Sequence, residues 1–165
     1  MAFGAFMKIE KIPGECTQKG HEEWIEVLSF HHGLFQPVTS SVSTGGSISG
    51  QLAAHNCFSI TKSLDAASPK LAQACAAGEP VGTVTLALCR ATGAEPQQYM
   101  EYVLNGAVVA SLQPSGAAQG GEDLPTEEVS FAYMMINWKY TVLDAEGVAQ
   151  GDVEGMFDRG TGAPA

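Results

Sequence analysis

The chain has 165 residues and a formal net charge of −10, with 45% hydrophobic and 16% charged residues. That length suits one domain with a self-sufficient core. The acidic balance, with eight scattered Lys and Arg, speaks against binding nucleic acid or an anionic membrane surface. No run approaches the roughly 18 apolar residues of a membrane span. The opening residues lack the basic-then-apolar pattern of a leader, so the expectation is a protein made in the cytoplasm. Charge is sparse, below the usual share of about 25%, and glycines number 19. Both point to a surface partly covered by another body, most simply a copy of the chain.

Strand periodicity dominates in chain order. Residues 5–12 alternate, with Ala5, Met7 and Ile9 on one face and Phe6, Lys8 and Glu10 on the other. Pro13-Gly14 ends the run. Residues 24–32 set Trp24, Glu26, Leu28 and Phe30 against Ile25, Val27, Ser29 and His31. Residues 57–62 form a short strand. Residues 81–90 keep Val84, Leu86 and Leu88 in step. Residues 98–112 and 127–143 are long apolar runs. One helix is signed over about residues 69–77: Ser68 is a candidate cap, Pro69 suits the first position, and Gly78 suits the position past the end. Leu71 and Cys75 then share a face. The fold class expected is mainly β, a two-sheet barrel or sandwich with one flanking helix. Asn105-Gly106 is a strong hairpin signal that would split residues 98–112 in two.

Two segments read as long loops, about 37–50 and 114–125; loops of this length are usually functional or disordered. The glycine-rich tail, about 144–165, is expected to hold at most one short strand near Val153–Asp158.

No chemical constellation stands out. His31 and His32 are strand neighbours that point to opposite faces and cannot share a metal. Cys16 with His21 lacks a third, orienting group for nucleophilic catalysis. Gly45 to Gly50 has the outer spacing of a phosphate loop, but Gln51-Leu52 stands where Lys-Ser/Thr is needed. The acidic neighbours Glu22-Glu23, Glu122-Asp123 and Glu127-Glu128 cannot face each other across a cleft; Glu127 and Glu128 read as solvated residues at a strand start. The four cysteines, Cys16, Cys57, Cys75 and Cys89, have no C-x-x-C spacing and read as reduced structural thiols. No enzyme, metal or cofactor is expected.

The order of several short motifs resembles the Hcp (haemolysin-coregulated protein) family, which builds the tube of the bacterial type VI secretion machine. The opening Phe6-Met7-Lys8-Ile9, Gly14-Glu15-Cys16, His21 and Ile25-Glu26-Val27-Leu28 is similar to that family's first strands and turn. Thr61-Lys62, Leu64-Asp65 and Ser68-Pro69-x-Leu71 resemble its strand-to-helix junction. Arg90 to Gly93, Gly120 to Asp123, Thr126-Glu127 and Asn137 to Tyr140 continue the likeness across residues 3–143. Cys16 stands where the family has Ser, Gln18-Lys19-Gly20 replaces a more acidic stretch, and the tail departs from the family's strand-forming end.

The resemblance implies a single domain over residues 1–165 whose copies close into a hexameric ring, and rings that stack into a hollow tube. It implies one long bent strand through Gly106, with a bulge in place of a hairpin. Partners implied are the chain itself, a spike protein at the tube tip, a contractile sheath and baseplate, and small effector proteins in the lumen. The tube protein would leave the cell through that machine. The ring-stacking loop is assigned to Val42, Ser43, Thr44, Gly45, Gly46, Ser47, Ile48, Ser49 and Gly50, and His31 to the lumen wall. The alternatives are a monomeric small-ligand-binding β-barrel and a phage-like tail-tube protein.

Overall fold

A computed structural model of the chain describes residues 3–39, 49–50, 52–92, 95–118 and 124–165. Its centre is a long antiparallel ribbon. Strand β9 (Pro80–Thr92) pairs with one edge of β10 (Glu95–Ser115). The other edge of β10 takes β12 (Met135–Leu143) along Met100–Asn105 and β11 (Thr126–Ala132) along Val108–Ser115. The sequence run 127–143 is therefore two strands laid end to end on one partner, parted at Tyr133-Met134. The break coincides with the bend in β10. Leu104 faces Val84 and Ala107 faces Gly82, so Asn105 and Gly106 both stand opposite Thr83. This is a β-bulge, with Gly106 at φ 63°, and not a hairpin.

The rest of the large sheet grows outward from this ribbon. Strand β1 (Phe3–Ile9) pairs with β9, and β8 (Phe58–Ser63) pairs with β11. The expected single strand at residues 24–32 is two short ones, β2 (Ile25–Glu26) on β1 and β3 (Ser29–His31) on β8. Between them the Val27 N–H donates to Ala5 O (2.9 Å) and the Leu28 N–H to Thr61 O (2.8 Å). One segment thus bonds first to one margin of the curled sheet and then to the other. The corner shifts the inward face by one residue: Ile25 and Val27 are buried, Leu28 is exposed, and Phe30 packs on the core.

The interior is filled from all sides. Met7 of β1, Leu86 of β9, Leu104 of β10, Phe131 of β11, Ile136 of β12 and Phe58 of β8 are all buried. Helix α1 (Ser68–Ala77) lies against β10 and buries Leu71 and Ala74, with Cys75 partly covered. Gly78 ends it in the left-handed conformation, φ 66°, where glycine carries no Cβ penalty. Ser68 does not cap. Its hydroxyl accepts the Asp65 N–H (3.0 Å) and donates to Glu127 Oε1 (2.6 Å). The residue before it, Ala67, has no capping side chain. Glu127 is buried, contrary to the solvated role expected, because it stands directly across from Lys62 in the β8–β11 ladder. Lys62 Nζ lies 2.6 Å from Glu127 Oε1 and 2.8 Å from Asp65 Oδ1.

The tail is more ordered than its glycines suggest. Strand β13 (Ala149–Asp158) pairs with β12 along its length, and β14 (Ala163–Pro164) adds to its end. Asp144 shapes the turn between β12 and β13 by accepting the N–H groups of Glu146 (3.1 Å) and Val148 (2.7 Å). Gly155 faces Trp138, and the broad ring covers the position that lacks a side chain. Likewise β10 continues to Ser115, into the segment read as a loop.

Candidate assembly surfaces

Residues 33–39 leave the barrel as one side of an arm, and residues 49–50 and 52–56 form its returning side. Strand β4 (Leu34–Phe35) pairs with β7 (Ala54–His55), and β5 (Val38–Thr39) with β6 (Ser49–Gly50). At the root, the Asn56 N–H donates to Gly33 O (3.0 Å). The segment read as a loop from residue 37 thus begins as a two-stranded structure at residue 34. Of the assigned stacking residues, Ser49 and Gly50 form β6, opposite Thr39 and Val38. Val42, Ser43, Thr44, Gly45, Gly46, Ser47 and Ile48 lie outside the described residues. The arm carries Leu34, Phe35, Val38 and Leu52 more than half exposed, at 51%, 64%, 62% and 72%. No Asp, Glu, Lys or Arg occurs from Gly33 to Asn56. A projecting apolar segment without charge has the composition of a surface that another body covers.

The arm's root holds a cluster that sequence reasoning missed. The Tyr133 hydroxyl lies 2.7 Å from His32 Nε2 and 2.9 Å from His55 Nδ1. His32 stacks on Phe58 and His55 on Phe157, each with ring centroids 5.1 Å apart. The Arg159 guanidinium donates to Tyr133 O (2.8 Å) and lies over the tyrosine ring. Burial lowers the pKa of His32, helped by His55 and His31, and burial with Arg159 lowers that of His55. Burial pushes the Tyr133 phenol up to about 12. A signal did exist in the sequence. His32 and His55 flank the long glycine-rich segment, and a hairpin register across it brings its two ends together. His31, the assigned lumen residue, is on β3 opposite Ser59 and is exposed.

A third surface is the outer edge of β13. Among the described residues no strand pairs with it before Phe157. Val153 is exposed opposite Tyr140 of β12, and Val142 of β12 and Val148, just before β13, are exposed as well. Unpaired strand edges of this length invite pairing with another chain. A fourth is a groove of about 450 Å³ beside the 27–28 corner, lined by Phe6, Leu28, Leu64 and Leu124 and rimmed by Glu15, Glu26 and Asp65.

The residues weighed for catalysis do not come together. Cys16 Sγ accepts the Gln18 N–H (3.5 Å), while His21 stacks on Phe6 and turns Nε2 toward the Cys89 thiol at 3.8 Å. Burial raises the Cys89 pKa and lowers that of His21, which opposes thiolate formation. All four cysteines are free, and Cys57 lies exposed just outside β8. Among the described residues no three His, Cys, Asp or Glu side chains gather as a metal site would require.

A β-rich subunit with an outstretched apolar arm and an open strand edge has the features of an assembly protein. The sequence matches the family described as "Type VI secretion system effector, Hcp" over residues 6–140. The chain belongs to that family. It is 30% identical to "Protein hcp1" of Pseudomonas aeruginosa over 151 residues, covering 92% of this chain and 91% of that protein. It is 31% identical over 152 residues to the "Major exported protein" of the same organism, covering 87% and 83%. A solved "type six secretion system protein" superposes with a TM-score of 0.91 at 33% identity, covering 99% of this chain and 100% of that one.

Proposed function

We propose that this chain is a structural subunit of the type VI secretion tube. Six copies close into a ring, and rings stack into a hollow cylinder that leaves the cell through the machine. The observation that carries the reading is the arm: a paired, uncharged projection with four large apolar side chains exposed. Burying such residues against a neighbouring ring is favourable by about 25 cal/mol per Å² of apolar area. The open edge of β13 supplies a margin for the neighbour within the ring, and a heterologous contact that closes gives a ring. Membership of the family and the exported relative support the same reading.

Within this scheme residues Val42–Gly50 reach the next ring, and His31 lines the lumen. Small effector proteins travel inside, a spike protein sits on the tube tip, and a sheath and baseplate surround and launch it. The monomeric ligand-binding barrel is disfavoured because Leu86, Leu104, Phe131 and Phe58 fill the interior. A phage-like tail tube would share the ring and the stacking.

Negative-stain microscopy and native mass spectrometry of purified protein test the reading. Annular particles with six-copy masses are the expected result. Replacing residues 40–48 by a short turn should leave rings but abolish stacks. Monomer alone at high concentration would refute it.

A further inference from the structure

We propose that the His32–Tyr133–His55 bridge is a proton-operated latch that holds the arm's root to the barrel while the imidazoles are neutral and releases it when both are protonated. The geometry places one imidazole on each side of the arm. His32 immediately precedes Gly33, the first residue of the arm, and His55 lies in β7 on the returning side. Both meet a single oxygen on the barrel, at the bend between β11 and β12. Each ring is also held flat against a barrel aromatic, Phe58 or Phe157.

Counting hydrogens gives the switch. A phenol has one hydrogen to donate and accepts through its lone pairs. With neutral imidazoles, one bare nitrogen takes the Tyr133 hydrogen and the other ring donates its N–H to the oxygen. The donating ring can gain a proton with this arrangement intact. A second proton leaves two N–H groups aimed at one oxygen, and the Tyr133 hydrogen loses its acceptor. Two cations would then flank one hydroxyl whose ring already lies beneath Arg159, 5.4 Å from the guanidinium.

The charges that act on the two imidazoles among the described residues oppose protonation. His31 on β3 and Arg159 after β13 face the cluster, beside Cys57 and Tyr133 itself. Among the described residues no carboxylate acts on His32 or His55. The nearest acidic neighbour in sequence, Asp158, is engaged by the Gly160 N–H (2.7 Å). Docking lowers the pKa of both imidazoles from the ordinary 6.5. The free arm therefore binds protons more readily than the docked one. Docking is at full strength above pH 6.5 and weakens as pH falls through and below it. The latch belongs to the single subunit; only its consequence, an arm freed from its stacking pose in acid, rests on the tube reading.

Hydrogen exchange read by mass spectrometry on dilute full-length protein tests it, at pH 7.5 and 5.5, corrected for intrinsic rates. Residues 68–77 of α1 serve as the internal reference. The exchange at residues 33–39 and 52–56 should rise about tenfold or more in acid relative to α1. Tyr133→Phe should show the raised exchange already at pH 7.5, with little further change. His55→Gln, which bonds without titrating, should blunt the acid response and covers the case where Tyr133→Phe fails to fold. NMR titration should place both imidazoles below 6.5. Equal arm exchange at the two pH values, or both rings titrating at the ordinary value, would overturn the latch. Native mass spectrometry at high concentration separates the two readings. Absent rings at both pH values sink the tube and spare the latch; intact rings with unchanged arm exchange sink the latch alone.

Discussion

Replacing Lys62 by Met should be among the most damaging single changes available. Lys62 has no exposed side-chain surface, and Glu127 has 2%. The ammonium donates to Glu127 Oε1 at 2.6 Å, to Ser63 O at 2.9 Å and to Ser68 Oγ at 3.1 Å. It also meets Asp65 at 2.8 Å. Met matches the aliphatic stem and deletes the cation. Glu127 is then a buried charge whose one remaining donor among the described residues is the Ser68 hydroxyl. Breaking one half of a buried pair costs about 3–5 kcal/mol. For a chain of this size each kcal/mol moves Tm by about 2–4 °C, so a fall of about 6–20 °C is expected. The double variant Lys62→Met, Glu127→Leu removes the buried pair, leaves Asp65 accepting the Ala67 N–H (2.9 Å), and should recover most of the loss, because apolar replacement of a buried pair is often neutral or stabilising. Urea denaturation followed by circular dichroism at pH 7 gives both numbers. A single-variant cost below about 1 kcal/mol, or a double variant no better than the single, would refute the reasoning.

Two further changes probe the barrel. Phe131→Ala opens a cavity against Phe58 and Val109 and should cost about 3–5 kcal/mol in the same assay; a cost under 1 kcal/mol would mean the interior is not packed as described. Gly106→Ala and Gly155→Ala should diverge. At Gly106 the backbone has φ 63° and a new Cβ would lie 3.1 Å from Met134 Cγ, so about 1–2 kcal/mol is lost. At Gly155 the nearest atom is the Trp138 ring at 3.8 Å, an ordinary contact, so stability should hold or rise by about 0.4–1 kcal/mol. Equal effects at the two glycines would overturn the bulge assignment.

Strands whose faces stay on one side of the barrel were legible in the sequence. Met7 and Ile9, or Val84 and Leu86, keep period two because one partner strand runs beside them throughout. The reading failed where a strand changes partner. At Val27–Leu28 and at Tyr133–Met134 the chain turns a corner, and no local pattern marks a corner that the neighbours impose. At Asn105-Gly106 the local pattern alone misleads, while the bulge implied by the family resemblance is what forms. The pair's local preference for a turn is spent on that bulge because β9 continues on the far side. Glu127 read as surface because a carboxylate usually is, and only the register that sets it opposite Lys62 reverses that. The tail's strand was expected only near Val153–Asp158; its glycines hid the start at Ala149, and β12 and Trp138 compensate for them. Of the candidate site, the arm's existence was visible as a charge-free glycine-rich stretch. Its root was not, since His32, His55, Tyr133 and Arg159 are brought together only by folding.

An arm with no formal charge from Gly33 to Asn56 gives dissolved ions nothing to screen. Ionic strength acts through charge pairs, and its reach is about 8 Å at physiological salt. Contacts made through Leu34, Phe35, Val38 and Leu52 would therefore persist from dilute buffer to brine. They would strengthen in sulfate and loosen on chilling, since burial of apolar surface weakens as water cools. A joint made in this way would not weaken as salt rises, and its vulnerable condition would be cold.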